Sequence, residues 1–227
     1  GRDNTVLSKL GSVLAPWDRT LDAIVITHPD ADHITGFVEI LERYQVDSII
    51  TTGASAYTDV VEVLESSIEN ESAKIELVEQ GDSLIYDSII LEVLWPEENF
   101  NNQVVENRND SSIVLKLIYG NTSLLLTGDT EERSEIEFGH LAGEIDVLKV
   151  GHHGSVTSTT YDLLMDMLPE YAIISVGLDN SYGHPHPIVL ERLEQAGARV
   201  YRTDLDGDVL LQSQGEEPTV EAYPLLF

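Results

Sequence analysis

The sequence predicts an α/β fold with mixed sheets, and three observations support this class. Short apolar runs rich in β-branched residues alternate with stretches of helical periodicity. The pair Gly120-Asn121 separates two apolar runs and is typical of a tight hairpin, so some strands must be antiparallel. The chain has 227 residues, 42% of them hydrophobic, which suits one large α/β domain or two small ones. A layered fold with mixed sheets fits this pattern better than a purely parallel sheet.

The first half of the chain alternates strands and helices. Residues 22–27 form a β-branched apolar run, which predicts a strand buried on both faces. In the segment that follows, Ile34, Phe37 and Leu41 lie along one face of a helix. The predicted elements are strands 22–27, 48–51, 74–78 and 89–94 and helices 34–44 and 58–69.

The second half contains the predicted hairpin and the remaining strands. Pro187 lies near the start of a predicted helix, a position that tolerates its fixed backbone angle. Asp206-Gly207 is a turn signal between the last two predicted strands. The predicted elements are strands 112–119, 122–127, 147–150, 172–176, 200–203 and 209–212 and helices 159–167 and 188–196.

Composition excludes several classes of site and partner. The chain has no cysteine, which excludes disulfides, thiolate zinc sites and cysteine nucleophiles. Its 12 basic and 41 acidic residues give a formal charge of −29. That charge argues against broad binding to a phosphate backbone and against docking on anionic lipid. Apolar runs such as Leu124–Leu126 are too short to cross a bilayer.

A cluster of metal-ligating side chains follows the first predicted strand. The run His28-Pro29-Asp30-Ala31-Asp32-His33 holds two imidazoles and two carboxylates at a junction between a strand and a helix. Such a donor set suits zinc, manganese or iron. The alternative is that Asp30 or Asp32 caps the helix that follows. A cap does not explain two histidines that flank two aspartates, so the cluster predicts a metal site.

Three further strand endings also deliver His or Asp. Asp129 follows Gly128 after an apolar run, and alone it reads as a simple turn residue. The pair His152-His153 lies between two glycines, and because adjacent side chains diverge, only one of the two is expected to be a direct ligand. The loop Asn180–His186 carries His184 and His186, each followed directly by a proline, with a rigid turn of exposed histidines as its alternative.

These endings point to one assembly, since loops at the ends of strands converge in layered α/β proteins. Two divalent ions, zinc or manganese, roughly 3.5–4 Å apart and bridged by Asp129 are the natural arrangement for such a donor set. His140 lies on an acidic amphipathic stretch and is expected to be a surface residue.

Together these motifs resemble the metallo-β-lactamase superfamily, whose metal motif is HxHxDH after a strand. Here Asp30 replaces the second histidine of that motif. The variant HxDxDH, with LLTGD, KVGHHGS and SYGHPHP, is similar to the C-terminal hydrolase domain of ComEC-type DNA-internalisation competence proteins. The resemblance runs from Leu7 to Val209. It implies a single αββα domain over 1–227, with two mixed sheets, outer helices and a dinuclear site at one edge.

The resemblance also implies roles for individual residues. The implied metal ligands are His28 and Asp30 for the first ion, Asp32, His33 and His153 for the second, and Asp129 as the bridge. His152 would contact the scissile phosphate, and His152 or His184 would stabilise charge or protonate the leaving oxygen. Asp30 or Asp32 would orient the attacking water. The implied substrate residues are Lys149, Asn180, Tyr182, His184 and His186.

The chain departs from the family pattern in two places. The family's third ligand to the first ion is a histidine before the strand at 112–119, where this chain has Asn107–Ser112. Asp110 or Asn109 could substitute, or the first ion is weakly held. The family also opens with a hairpin carrying a DVGQGD-like segment, which is missing here, so a fragment of a larger membrane protein with an exposed sheet edge is expected.

The leading functional hypothesis is metal-dependent hydrolysis of DNA phosphodiesters, because the resemblance implies degradation of the strand that does not enter the cell. It implies a membrane channel domain in the same polypeptide and an extracytoplasmic, membrane-tethered location. The alternatives are a hydrolase of a small phosphodiester or other ester, a catalytically inactive metal-stabilised module of a DNA channel, and an inactive relic. Because the charge is −29, weak intrinsic affinity for single-stranded DNA is expected.

Overall fold

The computed structural model describes residues 5–223. They form two compact units. The first comprises the chain up to Glu79 together with Glu98–Ile113, and the second comprises Gln80–Glu97 together with the chain from Val114 onward. The predicted single domain over 1–227 stays a prediction.

The first unit is built from a parallel three-stranded sheet with helices between its strands. The sheet has the order β1-β2-β3, and each neighbouring pair is parallel. Helical crossovers are the usual connection between parallel strands. Its elements are α1 Thr5–Val13, β1 Thr20–Ile26, α2 Ala31–Leu41, β2 Gln45–Thr51, α3 Asp59–Glu69, β3 Lys74–Leu77 and a 3₁₀ turn at Asn109–Ser111.

The core of the first unit joins the sheet to α2 and α3. Ile34 of α2, Ile49 of β2 and Leu64 of α3 are among its buried members. The burial of Ile34 places the first turn of α2 against the sheet, with the His28–His33 loop directly before and within it.

The second unit contains a mixed seven-stranded sheet in the order β10-β9-β8-β7-β6-β5-β4. The pairs from β4 to β7 are antiparallel, and those from β7 to β10 are parallel. A separate antiparallel pair joins β11 to β12. The elements are β4 Ser83–Tyr86, β5 Ile89–Trp95, β6 Val114–Tyr119, β7 Thr122–Leu126, α4 Glu132–Ala142, β8 Val147–Lys149, α5 Tyr161–Met167, β9 Tyr171–Ile174, α6 Pro187–Gln195, β10 Arg199–Arg202, α7 Thr203–Asp206, β11 Asp208–Gln212 and β12 Thr219–Tyr223.

The parallel half of this sheet positions the polar loops of the second unit. Because β7, β8 and β9 run parallel, their carboxyl ends lie at the same edge of the sheet. The segments after these three strands carry Asp129, the pair His152-His153 and the loop that contains His184. The buried side chains of Leu125, Leu148 and Ile174 anchor the three strands in the core.

The mixed α/β class and the hairpin at Gly120-Asn121 are confirmed. Sequence reasoning missed the helices α1, α4 and α7 and the strands β4 and β12. The last two predicted strands are not partners, because β10 pairs with β9 whereas β11 pairs with β12. Within residues 5–223, none of the helices combines the length and the apolar character needed to cross a membrane.

Candidate metal centre

The loop after β1 contains Pro29 and leads directly into α2. Asp30 stands at the N-cap position with an extended backbone, φ −88° and ψ 142°, but its side chain makes no cap hydrogen bond. Its Oδ1 instead accepts a hydrogen bond from Nε of Arg108 at 2.8 Å. The capping alternative therefore does not account for the Asp30 side chain.

His28 and Asp30 form the first candidate ligand pair. Nε2 of His28 lies 3.7 Å from Oδ2 of Asp30, which is longer than a hydrogen bond. Two atoms that bind one ion at roughly 2.0–2.2 Å are separated by about this distance. The other ring nitrogen, Nδ1 of the buried His28, lies 3.1 Å from Oγ1 of Thr27 and 3.2 Å from Oγ of Ser112. Partners at Nδ1 orient the ring and leave Nε2 for an ion.

Asp32 and His33 form a second pair on the first turn of α2. Nε2 of His33 and Oδ2 of Asp32 are 3.8 Å apart. The rings of His28 and His33 approach with centroids 4.2 Å apart and planes tilted by 48°. All four predicted ligands of this loop therefore lie close together, although α2 begins at Ala31, between Asp30 and Asp32.

The segment before β6 was expected to supply a substitute ligand. The structure places Arg108 on Asp30, whereas Oδ2 of Asp110 accepts a hydrogen bond from Nδ2 of Asn107 at 2.8 Å. Asn109 begins the 3₁₀ turn. The assignment of Asp110 as a ligand stays a prediction.

In the second unit, Asp129 and His153 form a third candidate pair. Nε2 of His153 lies 3.5 Å from Oδ2 of the buried Asp129. Nδ1 of His153 lies 2.7 Å from the carbonyl oxygen of Ser175, so this nitrogen donates and carries the proton. A neutral imidazole protonated at Nδ1 presents the lone pair of Nε2, which is the usual state of a metal ligand.

His152 points elsewhere, as expected for adjacent residues. Its Nδ1 lies 3.3 Å from Oε1 of Glu131, and its ring centroid is 5.8 Å from that of His184. Both His152 and His153 have left-handed backbones, with φ 44° and 54°. Such conformations cost free energy for residues with a Cβ and persist where surrounding contacts impose them.

One long-range and two local hydrogen bonds hold this left-handed segment. The amide of His152 donates to the carbonyl of Gly128 at 3.2 Å, and the carbonyl of His152 accepts from the amide of Ser155 at 2.8 Å. Oγ of the buried Ser158 donates to the carbonyl of Gly151 at 2.8 Å. The histidine pair is thereby tied to the Asp129 loop and to the turn before α5.

A buried carboxylate and an arginine support the same turn. Glu135 of α4 accepts hydrogen bonds from the amides of Thr159 and Thr160, and Nη1 of Arg192 donates to the carbonyls of Ser158 and Thr159. Burial raises the pKa of Glu135, against the opposing effect of these amide donors and of Arg192.

The loop after β9 is held by hydrogen bonds of the Asn180 side chain and presents an aromatic stack. The Asn180 side chain donates to the carbonyl of His184 at 2.8 Å and accepts from its amide at 2.9 Å. The ring of Tyr182 stacks on that of His184, with centroids 5.9 Å apart and planes 14° apart, and Tyr182 is 70% exposed. Burial, followed by the charges of His152 and His153, lowers the pKa of His184.

Two other predicted substrate residues have local partners. Nδ1 of His186 accepts from the amide of Ile188 at 3.3 Å and so caps the N-terminus of α6. Nζ of Lys149 donates to the carbonyl of Val150 at 2.8 Å. Burial lowers the pKa of the Lys149 amine, and the nearby Asp129 carboxylate opposes this shift. The roles of Lys149 and His186 at a substrate stay predictions, and the expected surface position of His140 is confirmed.

Sequence reasoning missed the residues that support the candidate ligands. Four such residues contact candidate ligands or the loops that hold them: Ser112, Ser175, Glu131 and Glu135. They lie far from these partners in the sequence or belong to no sequence motif, so no local pattern indicated the contacts. The donors in both units are imidazole nitrogens and carboxylate oxygens, which suit zinc, manganese or iron. The residues present therefore fit divalent ions.

Comparison with known proteins places these motifs in a family. The family model described as "Metallo-beta-lactamase superfamily" matches residues 18–177. The chain is 35% identical to ComE operon protein 3 of Bacillus subtilis (strain 168) over 208 residues, which cover 91% of this chain and 26% of that protein. It is 33% identical to competence protein ComA of Neisseria gonorrhoeae over 199 residues, 86% of this chain and 26% of that protein.

The chain thus spans about a quarter of the length of these curated relatives. Among solved structures, a proposed metal-dependent hydrolase from Parabacteroides distasonis ATCC 8503 aligns with a TM-score of 0.52 at 17% identity, over 83% of this chain and 79% of that one. This likeness supports the fold class alone. The match over residues 18–177, with the ligand motifs described above, shows that the chain belongs to the metallo-β-lactamase superfamily.

Proposed function

We propose that this protein is a metal-dependent phosphodiesterase that cleaves single-stranded DNA during DNA uptake. The observation that carries the proposal is the set of three His–Asp pairs, His28–Asp30, Asp32–His33 and Asp129–His153, whose nitrogen and oxygen atoms lie 3.5 to 3.8 Å apart. Membership of a superfamily of metal-dependent hydrolases supports the reaction class. The similarity to a competence protein supports DNA as the substrate class.

The assignment of ions to ligands is part of the proposal. His28 and Asp30 would hold a first divalent ion, Asp32, His33 and His153 would hold a second, and Asp129 would be a shared ligand. Such ions lower the pKa of a water molecule towards 7 and stabilise charge on a phosphoryl group. We propose zinc or manganese, because the donors are imidazole and carboxylate.

We assign contact with the phosphate and proton transfer to side chains of the second unit. His152 lies next to a proposed ligand but points towards Glu131 and His184, so it is available to contact the scissile phosphate. Burial, followed by the charges of His152 and His153, lowers the pKa of His184, so a protonated His184 would release its proton more readily than a free imidazole. We assign charge stabilisation or protonation of the leaving oxygen to His152 or His184, and orientation of the attacking water to Asp32.

Recognition of the nucleotide is proposed for the exposed aromatic loop. The exposed Tyr182 ring stacks on His184, whose ring in turn meets that of His152 edge-on. Nucleobases stack on exposed aromatic rings with about 1–3 kcal/mol per base, and this stacking does not itself require a positive charge on the protein. This feature suits a protein with a formal charge of −29, for which we expect weak affinity supplied mainly by the ions.

The test is cleavage of an end-labelled single-stranded oligonucleotide with added Mn²⁺ or Zn²⁺. We expect cleavage that EDTA abolishes and that Asp32→Ala and His153→Ala reduce to the background without enzyme. His152→Ala should lower the rate about 10²–10⁴-fold if it transfers a proton. The control is His140→Ala, since His140 is an exposed histidine on α4. Cleavage that persists in the Asp32→Ala/His153→Ala double variant would contradict the proposal.

A second candidate is hydrolysis of a small phosphodiester, and the charge of the chain favours it over a long polyanion. Turnover of bis(p-nitrophenyl) phosphate without cleavage of any DNA would support this candidate. In that case Tyr182→Ala should leave the turnover unchanged, whereas on DNA it should raise KM.

The wider context is also proposed rather than observed. Because the curated relatives are about four times longer than the matched region, we propose that a membrane channel domain belongs to the same polypeptide. We place the hydrolase outside the cytoplasm, tethered through that domain. Protease accessibility of the tagged full-length protein in intact cells tests this location.

A further inference from the structure

One short segment contacts both members of the first ligand pair. Nε of Arg108 donates to Oδ1 of Asp30 at 2.8 Å, and Oγ of Ser112, four residues later, lies 3.2 Å from Nδ1 of His28. The two contacts reach the atoms of Asp30 and His28 that do not face each other. The opposite atoms, Oδ2 of Asp30 and Nε2 of His28, lie 3.7 Å apart.

The segment is itself well anchored. The amide and Oγ of Ser111 donate to the carbonyl of Arg108 at 3.0 and 2.6 Å, which closes the 3₁₀ turn. Ser111 and Ser112 are fully buried. The amide of Ile113 donates to the carbonyl of Thr27 at 3.0 Å, so the segment is hydrogen-bonded to the backbone directly before His28.

We propose that Arg108 and Ser112 are positioning residues that orient Asp30 and His28 for one ion. The inference rests on the proposed function, since it takes this pair as ligands. Asp30 presents Oδ2 because Arg108 holds Oδ1, and His28 presents Nε2 because Ser112 and Thr27 hold Nδ1. The segment where the family pattern has a third ligand thus contributes orientation to the first pair.

Two opposing contributions decide whether Arg108 strengthens or weakens the binding of the ion. Its positive charge repels a divalent ion, whereas its hydrogen bond fixes the ligand oxygen. The Arg108 side chain is 38% exposed and that of Asp30 is 25% exposed, so solvent screens the repulsion. Orientation acts at contact and is not screened, and loss of such partners typically weakens metal binding about 10–100-fold. Removal of Arg108 should therefore weaken binding.

The experiment is calorimetric titration of the metal-free protein with Mn²⁺, supported by elemental analysis. We expect Arg108→Ala to weaken one of the bound ions about 10–100-fold, Ser112→Ala to weaken the same ion, and Arg108→Lys to restore part of the loss. The visible spectrum of the Co²⁺-loaded protein should change in Arg108→Ala, because the ligand geometry changes.

A matched control and a discriminating variant sharpen the result. Arg43→Ala is the control, because it removes an exposed arginine that pairs with Glu39 in the same unit, and it should leave the affinity unchanged. Asp110→Ala tests the alternative in which this segment supplies a direct ligand to the ion. Thermal unfolding of each variant checks that the fold is retained, and Arg108→Lys serves should Arg108→Ala fail to fold.

Affinity that is equal or tighter in both Arg108 variants would overturn the inference, as would loss of the ion in Asp110→Ala alone. Failure of the proposed function is distinct: the wild type would bind the ions but cleave no phosphodiester, while the Arg108 effect on binding remained. A wild type that binds no divalent ion would overturn both.

Discussion

The two ligand-bearing regions of this protein are built on different principles. In the first unit, His28, Asp30, Asp32 and His33 lie within six consecutive residues, and their backbone follows an ordinary passage from a strand into a helix. In the second unit, His152 and His153 have left-handed backbones that depend on hydrogen bonds from distant segments. The first arrangement is therefore largely local, whereas the second depends on the tertiary structure.

This difference indicates which substitutions should disturb the structure of each region. Substitutions far from the His28–His33 loop should alter how its ligands are oriented but not whether the loop forms. Around His152 and His153, loss of a single buried contact should disturb the backbone itself. The predictions that follow test this contrast in order of decreasing effect.

Gly154→Ala should have the largest effect, because alanine is strained in a left-handed backbone and its Cβ would also clash with Pro185. Gly154 has φ 81°, and a Cβ added there would lie 2.6 Å from Cβ of Pro185. We expect a loss of about 2–4 kcal/mol in the free energy of unfolding. Gly183→Ala is the control, since Gly183 has φ 74° with no atom near its added Cβ. Chemical denaturation measures both, and equal losses would mean that the Pro185 contact is irrelevant.

Glu135→Ala should cost about 1–3 kcal/mol, because the amides of Thr159 and Thr160 lose a buried acceptor. If the same variant also loses metal affinity that depends on His153, then the hydrogen bonds of Glu135 also help to position the histidine pair. Glu132→Ala is the control, since Glu132 is an exposed glutamate on the same helix. If both variants unfold at the same denaturant concentration, Glu135 does not support the turn.

The pH dependence of Glu135 follows from the direction of its shift. Its folded-state pKa is raised above the ordinary value of 4.5, so its contribution to stability is complete below that pH and is lost as pH rises through the folded pKa. The stability of the wild type relative to Glu135→Gln should therefore be greatest in acid and decline towards neutral pH. Denaturation of the two proteins across that range measures the trend, and a flat difference would contradict it.

His186→Ala should have the smallest effect, a loss of about 1 kcal/mol from the missing N-cap of α6. If His186 acts only as a cap, His186→Asn should restore stability, and kcat and KM should remain near the wild-type values in both variants. A rise in KM with stability intact would instead support the predicted contact between His186 and substrate.

Periodicity and turn chemistry predicted most of the fold. The strand before His28, the helix after it and the hairpin at Gly120-Asn121 follow from patterns that span a few residues. The helix α4 was missed because its buried and exposed faces do not follow the usual division into apolar and polar residues: Glu135 is buried while Ile136 is exposed. The strand β4 was missed because it has four residues and lies at the edge of its sheet, where Ile85 remains exposed.

The sequence by itself determined the chemical character of the site. Residue types that bind divalent ions follow strands in the chain, and the motifs that contain them resemble those of the metallo-β-lactamase superfamily. That inference is possible because ligand chemistry depends on residue type and because a strand end is a local feature.

Only the tertiary structure decided which groups hold the candidate ligands in place. Arg108 meets Asp30, Ser175 meets His153 and Glu135 meets Thr159 across long stretches of chain. Hydrogen bonds of this kind depend on the positions of atoms brought together by packing, and no short sequence pattern specifies them. For this reason the contact between Arg108 and Asp30 emerged only from the fold.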